Sequence, residues 1–193
     1  MKKIFILISL IFINFSVFAE NIEDFEVGPI SVGQSLFEYT EKNEIDFLLS
    51  EDQYNNDKYI RYEISKVVNV EGYDFVDVMV KKNDPNYIIE AISAGINYNE
   101  LPECLSIKAD IQKGVEEVLK PDDKQDTEFP SKQDKTGESM IYGVQYYTKP
   151  YPSNESIIVN CYHMTEKSNL TRVLRLSVNT HDFTQFIVNE AHN

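Results

Sequence analysis

Residues 100–120, ELPECLSIKADIQKGVEEVLK, form the stretch around which the rest of the chain is organised. Apolar side chains recur there at steps of three and four, namely at Leu101, Cys104, Ile107, Ile111, Val115 and Val118. That spacing places them along one side of a helix, with most of the charged side chains on the other. Pro102 lies in the first turn, where a helix tolerates proline, and Pro121 ends the pattern. The stretch therefore predicts an amphipathic helix with Cys104 on its buried side.

Residues 1–19 have the pattern of a secretory signal peptide. Two lysines precede an apolar run over residues 4–18, and small residues stand third and first before a cleavage point after Ala19. An uncleaved membrane anchor is the alternative, but a spanning helix needs about twenty apolar residues and Asn14 interrupts this run. We expect residues 20–193 to form a soluble periplasmic or extracellular protein with no stable membrane span.

The charge and the length of the chain restrict the kinds of partner and the number of domains that we expect. A formal net charge of −14, with no cluster of lysine or arginine, is unfavourable for binding polyphosphate, so we predict no nucleic-acid partner. The length suits a single compact domain. An alternative division has two halves, 30–120 and 139–193, joined by the polar loop 121–138.

Cys104 and Cys161 are the only cysteines of the chain. In an exported protein a single pair of cysteines predicts one disulfide bond. Closing the loop between the two cysteines would stabilise the fold by about 4 kcal/mol, because the bond lowers the entropy of the unfolded chain. A pair of buried free thiols is the alternative, because both cysteines lie on apolar faces.

Strand-like alternation of apolar and polar residues marks six segments, at residues 60–65, 75–80, 87–98, 140–148, 156–164 and 171–179. Ser31 with Gln34, or Ser35 with Glu38, fits a capping box for a first helix, and Thr180 or Asp182 can cap a last one. We therefore predict an α+β fold in the order α-βββ-α-βββ-α, an antiparallel sheet with helices on one face. Two αβββ units and one six-stranded sheet without a repeat are both compatible with this order.

Residues 30–36, ISVGQSL, carry a resemblance to known proteins. The segment resembles the start of a helix in an uncharacterised family of small exported bacterial α+β proteins, which have an I-S-I/V-G-x-S-L motif there. That resemblance implies export and an α+β fold, and no particular activity. The same segment faintly resembles the helix start of proteins similar to β-lactamase inhibitory protein, which implies helix-plus-sheet repeats.

The sequence offers little for catalysis. His163, His181 and His192 are its only histidines, and no Gly-x-Ser-x-Gly elbow, His-x-x-x-His or Cys-x-x-Cys pattern is present. A nucleophile or a metal site needs such groups at close spacing. We therefore predict a non-enzymatic protein with no catalytic residues, cofactor or metal.

The candidate binding surface consists of tyrosines of the second half, namely Tyr142, Tyr146, Tyr147, Tyr151 and Tyr162. Tyrosine combines an apolar ring with a polar tip, which suits binding, although packing in the core is the more common role. We predict a binding or interaction protein whose partner is an unknown protein or small ligand. The alternative function is a carrier that holds a small apolar or aromatic ligand between sheet and helices.

Overall fold

The computed structural model describes residues 21–50, 57–119, 121, 123–148 and 154–191. The predicted signal peptide lies outside these residues. The strands and α-helices of the described part are β1 (Tyr59–Glu63), β2 (Phe75–Lys81), β3 (Ile89–Asn97), α1 (Leu101–Val118), β4 (Asp123–Pro130), β5 (Met140–Tyr147), β6 (Ser156–His163), β7 (Val173–Asn179) and α2 (His181–Asn189). The predicted α+β class is confirmed.

All seven strands form one antiparallel sheet in the order β1-β2-β3-β7-β6-β5-β4. The first three strands and the last four are two meanders, and β3 pairs with β7 to join them. Ser93 lies opposite Ser177 in this pair, and Ile92 lies opposite Val178. The proposed halves of the chain therefore share one continuous sheet. The edge strand β3 of the first meander pairs with the edge strand β7 of the second, so neither edge is left open there.

One face of the sheet is covered by α1 and by the N-terminal segment. Alternate strand residues point to this side, as a pleated strand requires, and they form the larger apolar core. From α1, Cys104 and Val115 are fully buried in this core, and Ile107 and Ile111 are partly buried. The predicted apolar stripe is confirmed over these residues, whereas Val118 at its end is 41% exposed.

The helix α2 lies on the opposite face, so the prediction of helices on one face is corrected. Phe183 and Phe186 of α2 pack on Tyr59, Met79 and Ala91, whose strand positions alternate with those of the larger core. The Tyr59 ring centroid is 4.9 Å from the centroid of each phenylalanine. This second apolar patch determines the position of α2, because burying it requires a helix on that side. The second half therefore does not repeat the first.

The predicted first helix is replaced by short 3₁₀ turns at Ile22–Asp24, Leu36–Glu38 and Ile45–Leu48. The capping box is present: the hydroxyl of Ser35 accepts from the Phe37 amide, and Glu38 accepts from the Ser35 amide. The preceding Gly33 has a φ of +86°, a left-handed conformation that ends regular helix geometry. The capping box at Ser35 and Glu38 therefore precedes a single 3₁₀ turn, which is too short to be stable as an isolated helix.

The polar stretch predicted as loop 121–138 contains the strand β4, which is a second correction. This strand pairs with β5 along its whole length at the edge of the sheet. Nearly all of its side chains are exposed, so apolar alternation, the signal on which the strand predictions rest, is absent. The order within the described residues is βββ-α-ββββ-α.

Candidate functional site

The tyrosines of the predicted binding surface do not share one face. Tyr142 and Tyr146 of β5 point to the α1 side, and Tyr146 is fully buried. The Tyr146 hydroxyl donates to Glu116 Oε1 of α1 at 2.9 Å, and Lys124 Nζ donates to the same oxygen at 2.8 Å. Both hydrogen bonds lower the pKa of the Glu116 carboxyl, and the bond from Lys124 has the larger effect. Tyr146 therefore fastens α1 to the sheet and is not available at the surface.

The remaining tyrosines of that set are placed differently. Tyr147 and Tyr162 lie on the opposite face by strand alternation, both half-buried, and Tyr162 lines the groove described below. Tyr151 lies outside the described residues. Tyr162 is thus the member of the predicted surface that the structure brings to the candidate site.

The predicted disulfide is present between Cys104 of α1 and Cys161 of β6. Their Cα atoms are 6.0 Å apart, and both residues are fully buried. The bond links α1, which follows the first meander, to β6 of the second meander. Its role in this fold is structural, because it lies within the filled core and away from the open face.

A groove of about 350 Å³ lies on the face opposite α1, between the side of α2 and the residues that follow β4. Its lining includes Arg61, Asp77, Ser93, Phe129, Ser131, Lys132, Gln133, Ile141, Ile158, Asn160, Tyr162, Arg175, Ser177, Phe183 and Ile187. We call this concavity the groove. It is the part of the second face that α2 leaves uncovered.

The floor of the groove follows from the strand register. One row of paired residues crosses the sheet as Phe75, Gly95, Arg175, Asn160, Gly143 and Thr127. The neighbouring row is Asp77, Ser93, Ser177, Ile158 and Gln145. Glycine and serine occupy several central positions of both rows. The serines leave a depression where larger side chains would fill the space, whereas the glycines are covered by neighbouring side chains.

The two glycines of the first row allow close contacts that any other residue would prevent. A Cβ atom at Gly95 would collide with the ring of Phe75, which therefore lies across this glycine. A Cβ atom at Gly143 would collide with the Asn160 amide oxygen and the Thr127 hydroxyl. The glycines thus let the side chains of Phe75, Asn160 and Thr127 lie close to the sheet and set the shape of the floor.

The walls of the groove are mainly apolar. Phe129 and Ile141 form one side together with Tyr162, and these residues stand opposite one another on β4, β5 and β6. Phe183 and Ile187 of α2 form the other side. A hydrophobic body of ligand size could therefore lose its contact with water between the two walls.

A buried ion pair lies at one end of the groove. Arg61 of β1 and Asp77 of β2 are in contact through Nη2 and Oδ2 at 2.5 Å. The Asp77 side chain is 3% exposed and that of Arg61 is 19% exposed. A carboxylate so deeply buried requires such a partner, because an unpaired charge is strongly unfavourable away from water.

Arg175 lies near the centre of the floor, between two aromatic rings. Its guanidinium carbon is 5.7 Å from the Phe75 ring centroid and 5.9 Å from the Tyr162 ring centroid. Asn160 Nδ2 donates to the Tyr162 hydroxyl at 3.4 Å, which ties this ring to the floor. The rings favour a fixed position of the guanidinium through cation–π attraction.

Several buried polar atoms of the groove have no hydrogen-bond partner within the described part of the chain. They are the Ser93 hydroxyl, the Asn160 amide oxygen Oδ1 and the Ser131 hydroxyl. Most buried polar atoms of folded proteins are satisfied, so a group of unsatisfied ones in a concavity indicates a place where another molecule can supply the partner. Water or a polar ligand would fill this need.

The histidines considered for catalysis lie away from the groove. His163 ends β6 and His181 begins α2, and neither lines the groove, while His192 lies outside the described residues. Over residues 21–50, 57–119, 121, 123–148 and 154–191, no group of three or more metal-ligating side chains comes together. In the same part of the chain, no helix is long and apolar enough to cross a membrane.

Comparison with models of known protein families, with curated proteins and with solved structures found no match. The residues and their geometry therefore carry the argument about function.

Sequence reasoning missed most of the groove. A signal was present, since polar or small residues alternate with apolar ones on β3 at Ser93 and Gly95, and on β7 at Arg175 and Ser177. Such alternation normally indicates a solvated face. Only the pairing of β3 with β7 brings these positions together and makes them a floor.

Proposed function

We propose that the protein is a non-enzymatic binding protein and that the groove is its binding site. The observation that supports this most is the floor of small and polar residues enclosed by apolar walls. The groove is an open concavity of about 350 Å³ at the surface, outside the close-packed core. The volume falls at the lower end of the range typical of small-molecule sites, about 300–1,000 Å³.

The second candidate function is a carrier of a small apolar or aromatic ligand. The apolar walls formed by Phe129, Ile141 and α2 favour it, because they suit a hydrophobic body. On the α1 side the core is filled by side chains such as Val78, Ile157 and Val159, all fully buried. The groove on the α2 side is therefore where such a ligand would lie.

Binding is favoured over hydrolysis by the state of the serines. A serine nucleophile is activated by a base within hydrogen-bond reach. The hydroxyls of Ser93 and Ser131 have no hydrogen-bond partner among the described residues. We infer that these hydroxyls serve as hydrogen-bonding groups for a ligand.

We also propose that the protein is exported. Support comes from the signal-peptide pattern of residues 1–19 and from the disulfide, which suits an oxidising compartment. Expression of the whole gene in a bacterial host should give a periplasmic product whose N-terminal residue is Glu20. A product in the cytoplasm that retains Met1 would contradict export and leave the binding proposal untouched.

The binding proposal can be tested by filling the groove. The variant Ser177→Phe places a ring on the floor, and Ser177→Leu is a milder filling in case the first variant folds poorly. Ser106→Phe, at an exposed position of α1, is the matched control. Ligand-observed NMR with a diverse set of small molecules is the measurement.

Compounds that bind the wild type should still bind Ser106→Phe and should lose binding to folded Ser177 variants. Binding that persists in both filled variants, or no binding by any compound to the wild type, would contradict the proposal. Circular dichroism and thermal unfolding establish that each variant is folded before it is compared.

A further inference from the structure

An unsatisfied acceptor lies on the floor of the groove at Asn160 of β6. The amide nitrogen Nδ2 of this residue donates to the Tyr162 hydroxyl at 3.4 Å, which leaves the oxygen Oδ1 as the acceptor of the side chain. Oδ1 is shielded from solvent and has no hydrogen-bond partner within the described part of the chain. An acceptor left unpaired away from water is unfavourable, so a donor supplied by a ligand would relieve a cost that the free protein bears.

The strand register places this acceptor beside the aromatic wall of the groove. Asn160 is paired with Gly143 of β5, and a Cβ atom at Gly143 would collide with Oδ1, so the amide covers this glycine. Two residues further along, about 7 Å away, Tyr162 is paired with Ile141 of the wall. A small rotation about χ2, for which asparagine has a broad minimum, turns Oδ1 towards the space above Gly143. A ring standing against the wall would therefore have one edge close to Oδ1.

The walls favour a flat apolar body. Phe129 and Ile141 line one side of the groove, and Ile187 of α2 lines the other. Phe129 is 42% exposed, so a ring packed against it would bury apolar surface that the fold leaves in water. Aromatic rings gain further from packing on one another. The volume of about 350 Å³ equals that of roughly twelve water molecules, which is enough for a fused pair of rings.

The arginines of the groove have interactions within the protein. Arg61 is in contact with buried Asp77, and Arg175 lies between the rings of Phe75 and Tyr162. A ligand therefore needs no charge to be accommodated here. Its polar recognition can come from a neutral donor placed on Oδ1 of the floor.

We propose that the groove binds a small aromatic compound with a ring N–H, its ring between the walls and its N–H donating to Asn160 Oδ1. This inference rests on the proposed function, since it names the ligand class of the same site. A ring N–H is a donor within the plane of a flat apolar body, so one edge of the ring can meet the floor while its faces meet the walls. An indole has this combination of groups.

The test uses indole and benzofuran as probes, because they have the same fused shape and differ in whether the ring carries N–H or an oxygen atom. Titrations of the full chain by heteronuclear NMR give a dissociation constant for each probe and show which amides respond. We expect indole to bind about fivefold to tenfold more tightly, as one neutral hydrogen bond to a buried acceptor suggests. The largest shifts should fall on Phe129, Gly143 and Asn160.

Three variants separate the role of the Asn160 oxygen from a general effect of substitution. Asn160→Leu keeps a branched side chain of similar size without an acceptor, and it should remove the preference for indole. Asn160→Asp keeps an acceptor oxygen and should retain the preference. Asn43→Leu makes the same change at an exposed position of the N-terminal segment, and it should leave both affinities unchanged.

The outcomes distinguish the inference from the function on which it rests. Equal affinities for the two probes at the groove, or a preference that survives in Asn160→Leu, would overturn the assignment of the ring N–H and leave the binding site standing. Shifts confined to other surfaces, with no compound of any kind entering the groove, would overturn both. If Asn160→Leu does not fold, nuclear Overhauser effects on the wild type decide the matter. The indole N–H should then contact the Cα protons of Gly143, and contacts to Gly143 from the opposite edge of the ring alone would overturn the assignment.

Discussion

Breaking the disulfide between Cys104 and Cys161 should lower the free energy of unfolding by about 4 kcal/mol. The two cysteines are 57 residues apart, and a cross-link over a loop of that length removes about this much chain entropy from the unfolded state. Reduction of the wild-type protein keeps both side chains in place, so it isolates the effect of the bond. Cys104→Ala with Cys161→Ala removes the bond permanently.

The structure also predicts where the loss should be felt. Within α1, the fully buried residues are Cys104 near its start and Val115 near its end. Without the bond, the first half of α1 is held mainly by the partly buried Leu101 and Ile107. We therefore expect amides of this half to exchange hydrogen faster, while the central strands β3 and β7 keep most of their protection.

Urea unfolding of the oxidised, reduced and doubly substituted protein measures the first effect, and hydrogen exchange resolved by residue measures the second. A reducing agent should have no effect on the double variant, which serves as the control. A difference of less than about 1 kcal/mol between oxidised and reduced protein would refute the reasoning from loop closure. Unchanged exchange in α1 would refute the account of how the helix is held.

Three further predictions concern residues on the face opposite α1 and in the segment that follows β4. Asp77→Asn should destabilise the fold by about 3–5 kcal/mol, because it leaves the charge of Arg61 without its buried partner; replacing both by apolar residues should recover most of the loss in urea unfolding. Hydrogen bonds lower the pKa of the Asp134 carboxyl from its ordinary value of 3.8, and the largest contribution comes from the Ser139 side chain. The stability that this carboxylate contributes should be present above that pH and lost as the pH falls below it, so unfolding curves of wild type and Asp134→Asn should converge in acid. Gly95→Ala should displace the Phe75 ring and lower stability by about 1 kcal/mol in urea unfolding.

The helix α1 was predictable because its signal is local. The stripe from Cys104 to Val115 repeats at the helical period, and prolines mark both of its ends. The disulfide was predictable for a different reason, since two cysteines have one possible pairing within the chain. Neither prediction required knowledge of which strands are neighbours.

The strand β4 and the groove were not predictable in this way. An edge strand exposed on nearly all of its residues needs no apolar alternation, so residues 123–130 have the composition of a loop. The floor of the groove depends on the pairing of β3 with β7, which are separated in sequence by α1 and three strands. The side on which α2 packs depends on Tyr59, Met79 and Ala91, which meet only in the folded sheet.

The sequence by itself determined the α+β class, the amphipathic helix α1 and the pairing of Cys104 with Cys161, because each rests on local periodicity or on a count of residues. The tertiary structure alone decided that the two meanders share one sheet, that the helices lie on opposite faces, and that Arg175 faces a groove floored by small residues. The physical reason is that strand order and register are set by contacts between distant segments. Those contacts depend on how the apolar faces of the whole chain can be buried together.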